Sequence, residues 1–345
     1  MSGSAADRAA KRERMAGVRR DAGGRPLVLS SYEALAWYLE GARTHVSLAG
    51  PPVLAVRVDD DGDTLFVSAN EADRLIAEEL LPEDADRVVR VPWHQPVLEA
   101  AGAGLAEVDV TAALRAARAS LLPAEADRYR ALGRETAEVL TAVARGLSAS
   151  STERSAAAAL AEGLVARGID PLVILVAGEE RLPHRHPLPT DGALGRRAML
   201  VVCGRRHGLI ANATRWVGEA DADDERILEV EAAFFAATRP GARLNDVFAA
   251  GTVGYAASGF DADEWTKHHQ GGPTGYAGRD PRATTLTTDV VASPHAFAWN
   301  PSAPGAKVED TVLVTESGIE VLTVDPAWPT VEFGGVRRPM ARAFG

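Results

Sequence analysis

Four short polar stretches of this sequence could do chemistry. "LPHRHPLPT" sets His184 and His186 two residues apart among prolines, and "WTKHHQGGPTGYAGRD" places His268 and His269 ahead of paired glycines and Tyr276. "AFAWNPSAPGAKVED" carries Asn300 and Glu309, and "LIANATRWV" carries Asn212 and Thr214. On a strand, positions i and i+2 share a face, so Asn212 and Thr214 point together to one side. A neutral imidazole, with an ordinary pKa of about 6.5, can take a proton from water and return it to a leaving nitrogen near neutral pH. A carboxylate beside it can hold the imidazolium or a cationic substrate, while amides and a phenol orient polar groups. Each stretch alone also has a plainer explanation: loop histidines are commonly solvated, glycines make tight turns, and a glutamate at a strand edge usually faces water.

The elements that must position these residues follow from periodicity and punctuation. After a polar leader, "MSGSAADRAAKRERM", the run "PLVLSSYEALAWYLEGARTHVS" predicts a short strand, a helix and an extended segment. Two strands flank a turn at Asp60–Gly62, and a helix containing Glu71 to Leu80 follows. Further strand and helix reach to Pro123, which describes a small α/β domain over residues 1–123. From Ala124 the pattern turns helical. "AEADRYRALGRETAEVLTAVARGL" is one long helix, and "SSTERSAAAALAEGLVARG" is a second, with a capping box read at Ser150 and Glu153. "AMLVVCG" and "GLIANATRWV" form a candidate antiparallel pair after "DPLVILVAG". Two more helices lie in "DERILEVEAAFFAATRPG" and "LNDVFAAGTVGYAASGF", and a closing hairpin turns at Ser317–Gly318. The domain 124–345 is therefore α+β, helices packed on mostly antiparallel sheet, with Asn300 on one strand and Glu309 at the start of another.

A formal net charge of -11 argues against a nucleic-acid or anionic-membrane surface and points to a small molecule or short peptide as partner. The leader has no apolar core and no later segment reaches the length of a membrane span, so a cytoplasmic protein is expected. Cys203, the one cysteine, rules out an intrachain disulfide or a cysteine-built zinc site and reads as a buried, inert thiol.

The order of these pieces is more specific than any of them. A helix pair, a histidine loop, a strand ending in x-T-R, a histidine-bearing glycine turn, a strand ending in W-N-P and then "KVEDTVLVTESGIEVLT" resemble the creatinase, prolidase and aminopeptidase P superfamily, whose catalytic domain has the pita-bread fold. "GARTHVS" and "ANEADRL" are similar to that superfamily's smaller N-terminal domain. The resemblance implies a five-residue site of two aspartates, one histidine and two glutamates holding two divalent ions. Carried across, these positions fall near Val201 and on Asn212, His269, Asn300 and Glu309. Only His269 and Glu309 keep the ligand type. The formal ligand charge drops to about −1 from about −4, and hard dications need several anionic oxygens.

No metal and no other cofactor is therefore expected. The resemblance to creatinase, which works without metal, implies His184 as general acid and base, Glu309 as a substrate-contacting carboxylate and His269 beside them. Asn212, Thr214, Asn300, Tyr276 and His186 are then substrate-binding. A second creatinase glutamate falls on Thr214, which argues against tight recognition of a guanidinium. The expected activity is metal-independent hydrolysis of a C–N bond in a small amide, amidine or related substrate. A Xaa-Pro peptidase with an altered metal site and an inactive pita-bread binding protein are the alternatives. The resemblance also implies a homodimer, one subunit's N-terminal domain walling the other's pocket.

Overall fold

The polar amino-terminal stretch folds as a helix, α1 (Ala5–Asp21), with Ser4 as its N-cap. The leader expectation fails because this helix buries charge in place of an apolar stripe: Arg8 and Lys11 are fully buried beside Met15 and Val18. The computed structural model describes residues 4–345. Its contacts form two units, one running up to Glu125 and including His207–Leu209, the other Ala126–Arg206 with Ile210–Gly345.

In the first unit, β1 (Leu27–Leu29), α2 (Tyr32–Tyr38), β2 (Leu54–Asp59), β3 (Gly62–Ser68), α3 (Ala72–Glu78), α4 (Pro82–Ala85), β4 (Val88–Val91), α5 (Val97–Ala101), β5 (Leu105–Ala106) and α6 (Thr111–Ala119) follow α1. The strands form one sheet in the order β4-β3-β2-β1-β5. β1–β2 and β2–β3 are antiparallel, and β3–β4 and β1–β5 are parallel. The extended segment expected after α2 is not a strand. Glu40 and Gly41 take positive φ there and turn the chain instead.

α7 (Pro123–Arg145) and α8 (Glu153–Val165) lead into the second unit's first sheet, β6 (Asp170–Ala177), β7 (Arg197–Arg206) and β8 (Leu209–Gly218), in that order. His207 and Gly208, both at positive φ, make the two-residue turn between β7 and β8. α9 (Asp223–Ala237) and α10 (Leu244–Ala257) follow, then β9 (Gly271–Pro273), β10 (His295–Trp299), β11 (Ser302–Ala303), β12 (Ala306–Lys307), β13 (Val312–Thr315), β14 (Gly318–Val321), β15 (Thr330–Phe333) and β16 (Val336–Pro339). The second sheet runs β14-β13-β10-β9, all antiparallel. Its apolar face meets α9 and α10 in a core that includes Phe234, Val247, Phe297, Trp299 and Val312. Phe234 stacks on Trp299 with ring centroids 4.5 Å apart.

Three local expectations are corrected. α8 is capped by Thr152 and Ser155, each side chain bonding the other's backbone N–H at 3.1 Å, and Ser150–Glu153 plays no such part. Glu153 is buried and bonds outside its helix. The closing hairpin pairs Thr315 with Gly318, so its loop is Glu316–Ser317. Asn300 and Glu309 lie off the strands, one just past β10 and the other three residues before β13.

Candidate active site

Glu153 does for the histidine loop what no residue inside that loop could. Its buried carboxylate accepts from the backbone N–H of Gly178 and of Thr190, both at 2.8 Å, and from the Thr190 hydroxyl and Arg181. Both ends of the segment carrying His184 and His186 are thereby pinned. A second tie holds His268 and His269: Gly271, at φ 90°, lets the chain cross β10 where an added Cβ would sit 2.1 Å from the Ala298 carbonyl.

β8 is sewn to the other two polar stretches by main-chain bonds. Thr214 N–H donates to the Glu309 carbonyl at 2.9 Å, Asn212 N–H to the Thr311 hydroxyl at 2.7 Å, and Ile210 N–H to the Gly275 carbonyl at 2.9 Å. Asn212, Thr214, Glu309 and the 274–279 loop thus meet. Asn212 and Thr214 are both buried, as is all of β8 from Leu209 to Val217. Asn212 Nδ2 donates to Thr274 Oγ1 at 3.2 Å, and Thr214 Oγ1 lies 3.5 Å from Glu309 Oε2.

The residue that joins them is Arg279. Its guanidinium donates to Glu309 Oε1 at 2.5 Å and to Asn212 Oδ1 at 3.4 Å, bridging two of the five positions that the resemblance marks for metal. Lys307 Nζ stands 3.6 Å from the other Glu309 oxygen. Burial pushes the Glu309 carboxyl up, but Lys307 and Arg279 outweigh it and hold the group below the usual carboxylate range. Val201 packs in an apolar cluster with Leu175, Met199 and Trp216. The residues present do not fit a pair of divalent ions: one carboxylate survives, and two fixed cations already neutralise it. Cys203, half-buried, has its thiol pushed up to about 12 by burial and by Glu309, so it stays protonated.

Of the predicted histidines, the structure gathers His186 and His269, together with His268. His186 Nε2 is 3.1 Å from His268 Nε2, and His268 stacks on His269 at 4.4 Å between centroids. His268 Nδ1 meets Ser302 Oγ at 3.1 Å, and Ser302 Oγ also accepts from Arg185 at 3.1 Å. Ligating nitrogens of the three imidazoles lie within 4.8 Å of one another, a spacing from which a small movement could reach one late transition ion. The surroundings oppose a dication there. Burial and Lys307 push His268 down to about 2, and burial with Arg279 and Arg282 pushes His269 down to about 3. The same cations that disfavour an imidazolium disfavour a metal ion.

His184 is exposed and makes no side-chain hydrogen bond among the described residues; it lines a hollow with Arg185, Met199, Trp216, Ser302 and Lys307. Asn300 and Tyr276 are buried, and Asn300 Oδ1 and His269 Nδ1 are buried without a hydrogen-bond partner. Sequence reasoning missed Arg279, Lys307 and the role of His268. A signal existed: once the ligand charge had fallen to one carboxylate, "AGRD" and "AKVED" supplied the cations that a buried Glu309 would need.

A family model described as metallopeptidase family M24 matches residues 127–316. No curated protein matches the sequence significantly. Among solved structures, the dipeptidase PepE from Mycobacterium ulcerans is 20% identical with a TM-score of 0.75 over 98% of each chain. The prolidase from Pyrococcus horikoshii OT3 is 16% identical with a TM-score of 0.73, over 91% of this chain and 98% of its own. The N-terminal domain of FACT complex subunit SPT16 from Cicer arietinum is 11% identical with a TM-score of 0.65, over 92% and 95%. At such identities the likeness is one of fold. With the family model covering more than half of its length, the chain belongs to metallopeptidase family M24, in the creatinase and aminopeptidase P superfamily of pita-bread hydrolases.

Proposed function

We propose that this M24 member hydrolyses a C–N bond of a small amide, amidine or peptide-like substrate without a metal ion. One observation carries the reading: the Arg279 guanidinium bridges Asn212 and Glu309, so a side-chain cation stands where relatives with a full carboxylate set would need metal. In this reading His184 takes a proton from water as its oxygen adds to the substrate carbon. The tetrahedral intermediate's negative charge is met by Arg279, whose donors are held in place by Glu309 before the reaction begins. His184 then passes the proton to the leaving nitrogen as the C–N bond breaks, giving acid and amine from an amide or peptide, and amide and amine from an amidine. His269, Asn212, Thr214, Asn300, Tyr276 and His186 orient the substrate, and His268 and His269 do so as neutral imidazoles.

Tag-free protein assayed against amides, cyclic amidines and Xaa-Pro peptides, with and without chelator, tests this. Expected are well under one Mn, Zn, Co or Fe per chain, chelator-resistant turnover, and a fall of about two to four powers of ten for His184→Ala with unchanged circular dichroism. Near two metal equivalents with chelator-sensitive activity would overturn the metal-free reading, and wild-type turnover in His184→Ala would remove that histidine from its role. Asn212→Asp adds a sharper arm: the new carboxylate gains Arg279 as partner and still recruits no metal. The Arg279 bridge also favours a second reading, a pocket that binds without turnover, which predicts ligand binding but no product from any substrate in the panel.

A further inference from the structure

Ser302 is buried, and its hydroxyl oxygen meets two side chains. Arg185 Nη1 donates to it at 3.1 Å, and His268 Nδ1 lies 3.1 Å from the same atom. Arg185 is itself held by Glu264, whose other carboxylate oxygen takes Lys267 Nζ at 2.8 Å. A guanidinium has donors only, so the Ser302 proton has one acceptor to go to among these contacts, His268 Nδ1. The opposite order, with His268 Nδ1–H donating to Ser302, would leave the hydroxyl proton buried without a partner.

That order propagates. With Nδ1 accepting, a neutral His268 carries its ring proton on Nε2, which faces His186 Nε2 at 3.1 Å. Two ring nitrogens so placed share one proton, so His186 Nε2 is the acceptor and the His186 proton sits on Nδ1. His186 is exposed, with its ring 5.8 Å from that of His269, and its one side-chain hydrogen bond among the described residues is the one at Nε2. An imidazole fixed in this way has no basic nitrogen left to offer, and the chain behind it starts at a guanidinium, which gives up no proton. His186 is thereby a neutral donor. It suits an uncharged acceptor oxygen, and neither an amidinium, which brings only donors, nor the part of general base.

We propose that Arg185, Ser302 and His268 are positioning residues in a one-way hydrogen-bond relay that fixes His186 as an Nδ1–H donor, and that this donor takes a carbonyl oxygen of the ligand. The inference builds on the active-site reading above by choosing a carbonyl-bearing ligand over an amidine, and its test needs neither turnover nor metal. Long-range nitrogen–proton NMR spectra of the full chain at neutral pH read the tautomer of each ring, with His186→Gln and His268→Gln used to assign the signals. His186 should be the Nδ1–H form, which a free neutral histidine populates less, and His268 the Nε2–H form. Titration with N,N-dimethylacetamide, which only accepts, should move the His186 Nδ1 signal, whereas acetamidinium, which only donates, should leave it in place. Ser302→Ala should let His186 relax to a mixture of tautomers and weaken dimethylacetamide binding about two- to tenfold, the range of one neutral hydrogen bond, while Ser302→Thr keeps the wild-type pattern. His186 found as the Nε2–H form, tautomers unchanged in a folded Ser302→Ala, a His186 signal that answers acetamidinium in place of dimethylacetamide, or no response to either probe at tens of millimolar would each overturn the proposal. All but the second are read on the wild-type chain, so the test holds even where Ser302→Ala does not fold. A failed metal or turnover test with these tautomers intact would strike only the earlier reading.

Discussion

The molecule buries two lysines in opposite ways. Lys11, on α1, is fully buried with Glu40 at 2.5 Å and Glu125 at 2.7 Å, and its helix neighbour Arg8 is clamped by Asp63 at 2.7 Å and Asp84 at 2.9 Å. Tyr38 OH completes this set by donating to Asp63 at 2.7 Å. Lys307 has only a distant, shared carboxylate and opens on a hollow. A buried charge that is fully paired is an internal joint, and removing one partner strands the other. A charge with one long, shared contact at the lip of a hollow does little for the fold.

Breaking the joint should give the largest effect. Lys11→Met leaves Glu40 and Glu125 facing each other and should cost about 3–5 kcal/mol in urea denaturation of the full chain. A loss below about 1 kcal/mol would mean the α1 charges are ornamental and would end the contrast. Lys307→Met should instead change stability by less than about 1 kcal/mol in either direction, because the lost attraction to Glu309, at 3.6 Å, is offset by burying a methionine in place of a largely buried charged side chain. A loss as large as that of Lys11→Met would make the two lysines equivalent.

Acid sharpens the same contrast. His268 and His269 are depressed to about 2 and about 3, below the unfolded value near 6.5, so between those limits the unfolded chain binds protons that the folded chain refuses. Their contribution to stability is whole above about pH 6.5 and drains away as pH falls toward 3 and then 2. His268→Gln and His269→Gln should therefore each lose less stability than the wild type between pH 7.5 and pH 5. Equal losses would deny the depressed values. The smallest effect belongs to Thr214→Val, which removes one long bond to Glu309 at 3.5 Å and should cost no more than about 0.5–1.5 kcal/mol, read from the same denaturation curves.

Much of the framework was legible because it rests on periodicity and local punctuation. Alternation set Asn212 and Thr214 on one face of β8, and helical spacing placed α7, α9 and α10. The helix at the amino terminus was not legible, since a helix whose inward face is Arg8 and Lys11 looks solvated to any hydrophobic pattern. Glu153 misled for a related reason. Its position before an alanine run fits a cap, but its partners, Gly178, Thr190 and Arg181, lie 25 to 37 residues away.

The sequence by itself determined the fold class, the order of most elements and the scarcity of anionic side chains at the positions that the resemblance marks for metal, because residue type and spacing carry those directly. Only the tertiary structure decided what stands beside those positions. Arg279 reaches Glu309 across 30 residues and Asn212 across 67, and His186 reaches His268 across 82. A charged side chain has the same letter whether it is solvated or buried. Its meaning comes from the field of neighbours that folding brings within a few ångströms, where a carboxylate, a guanidinium and an ammonium fix one another's charge.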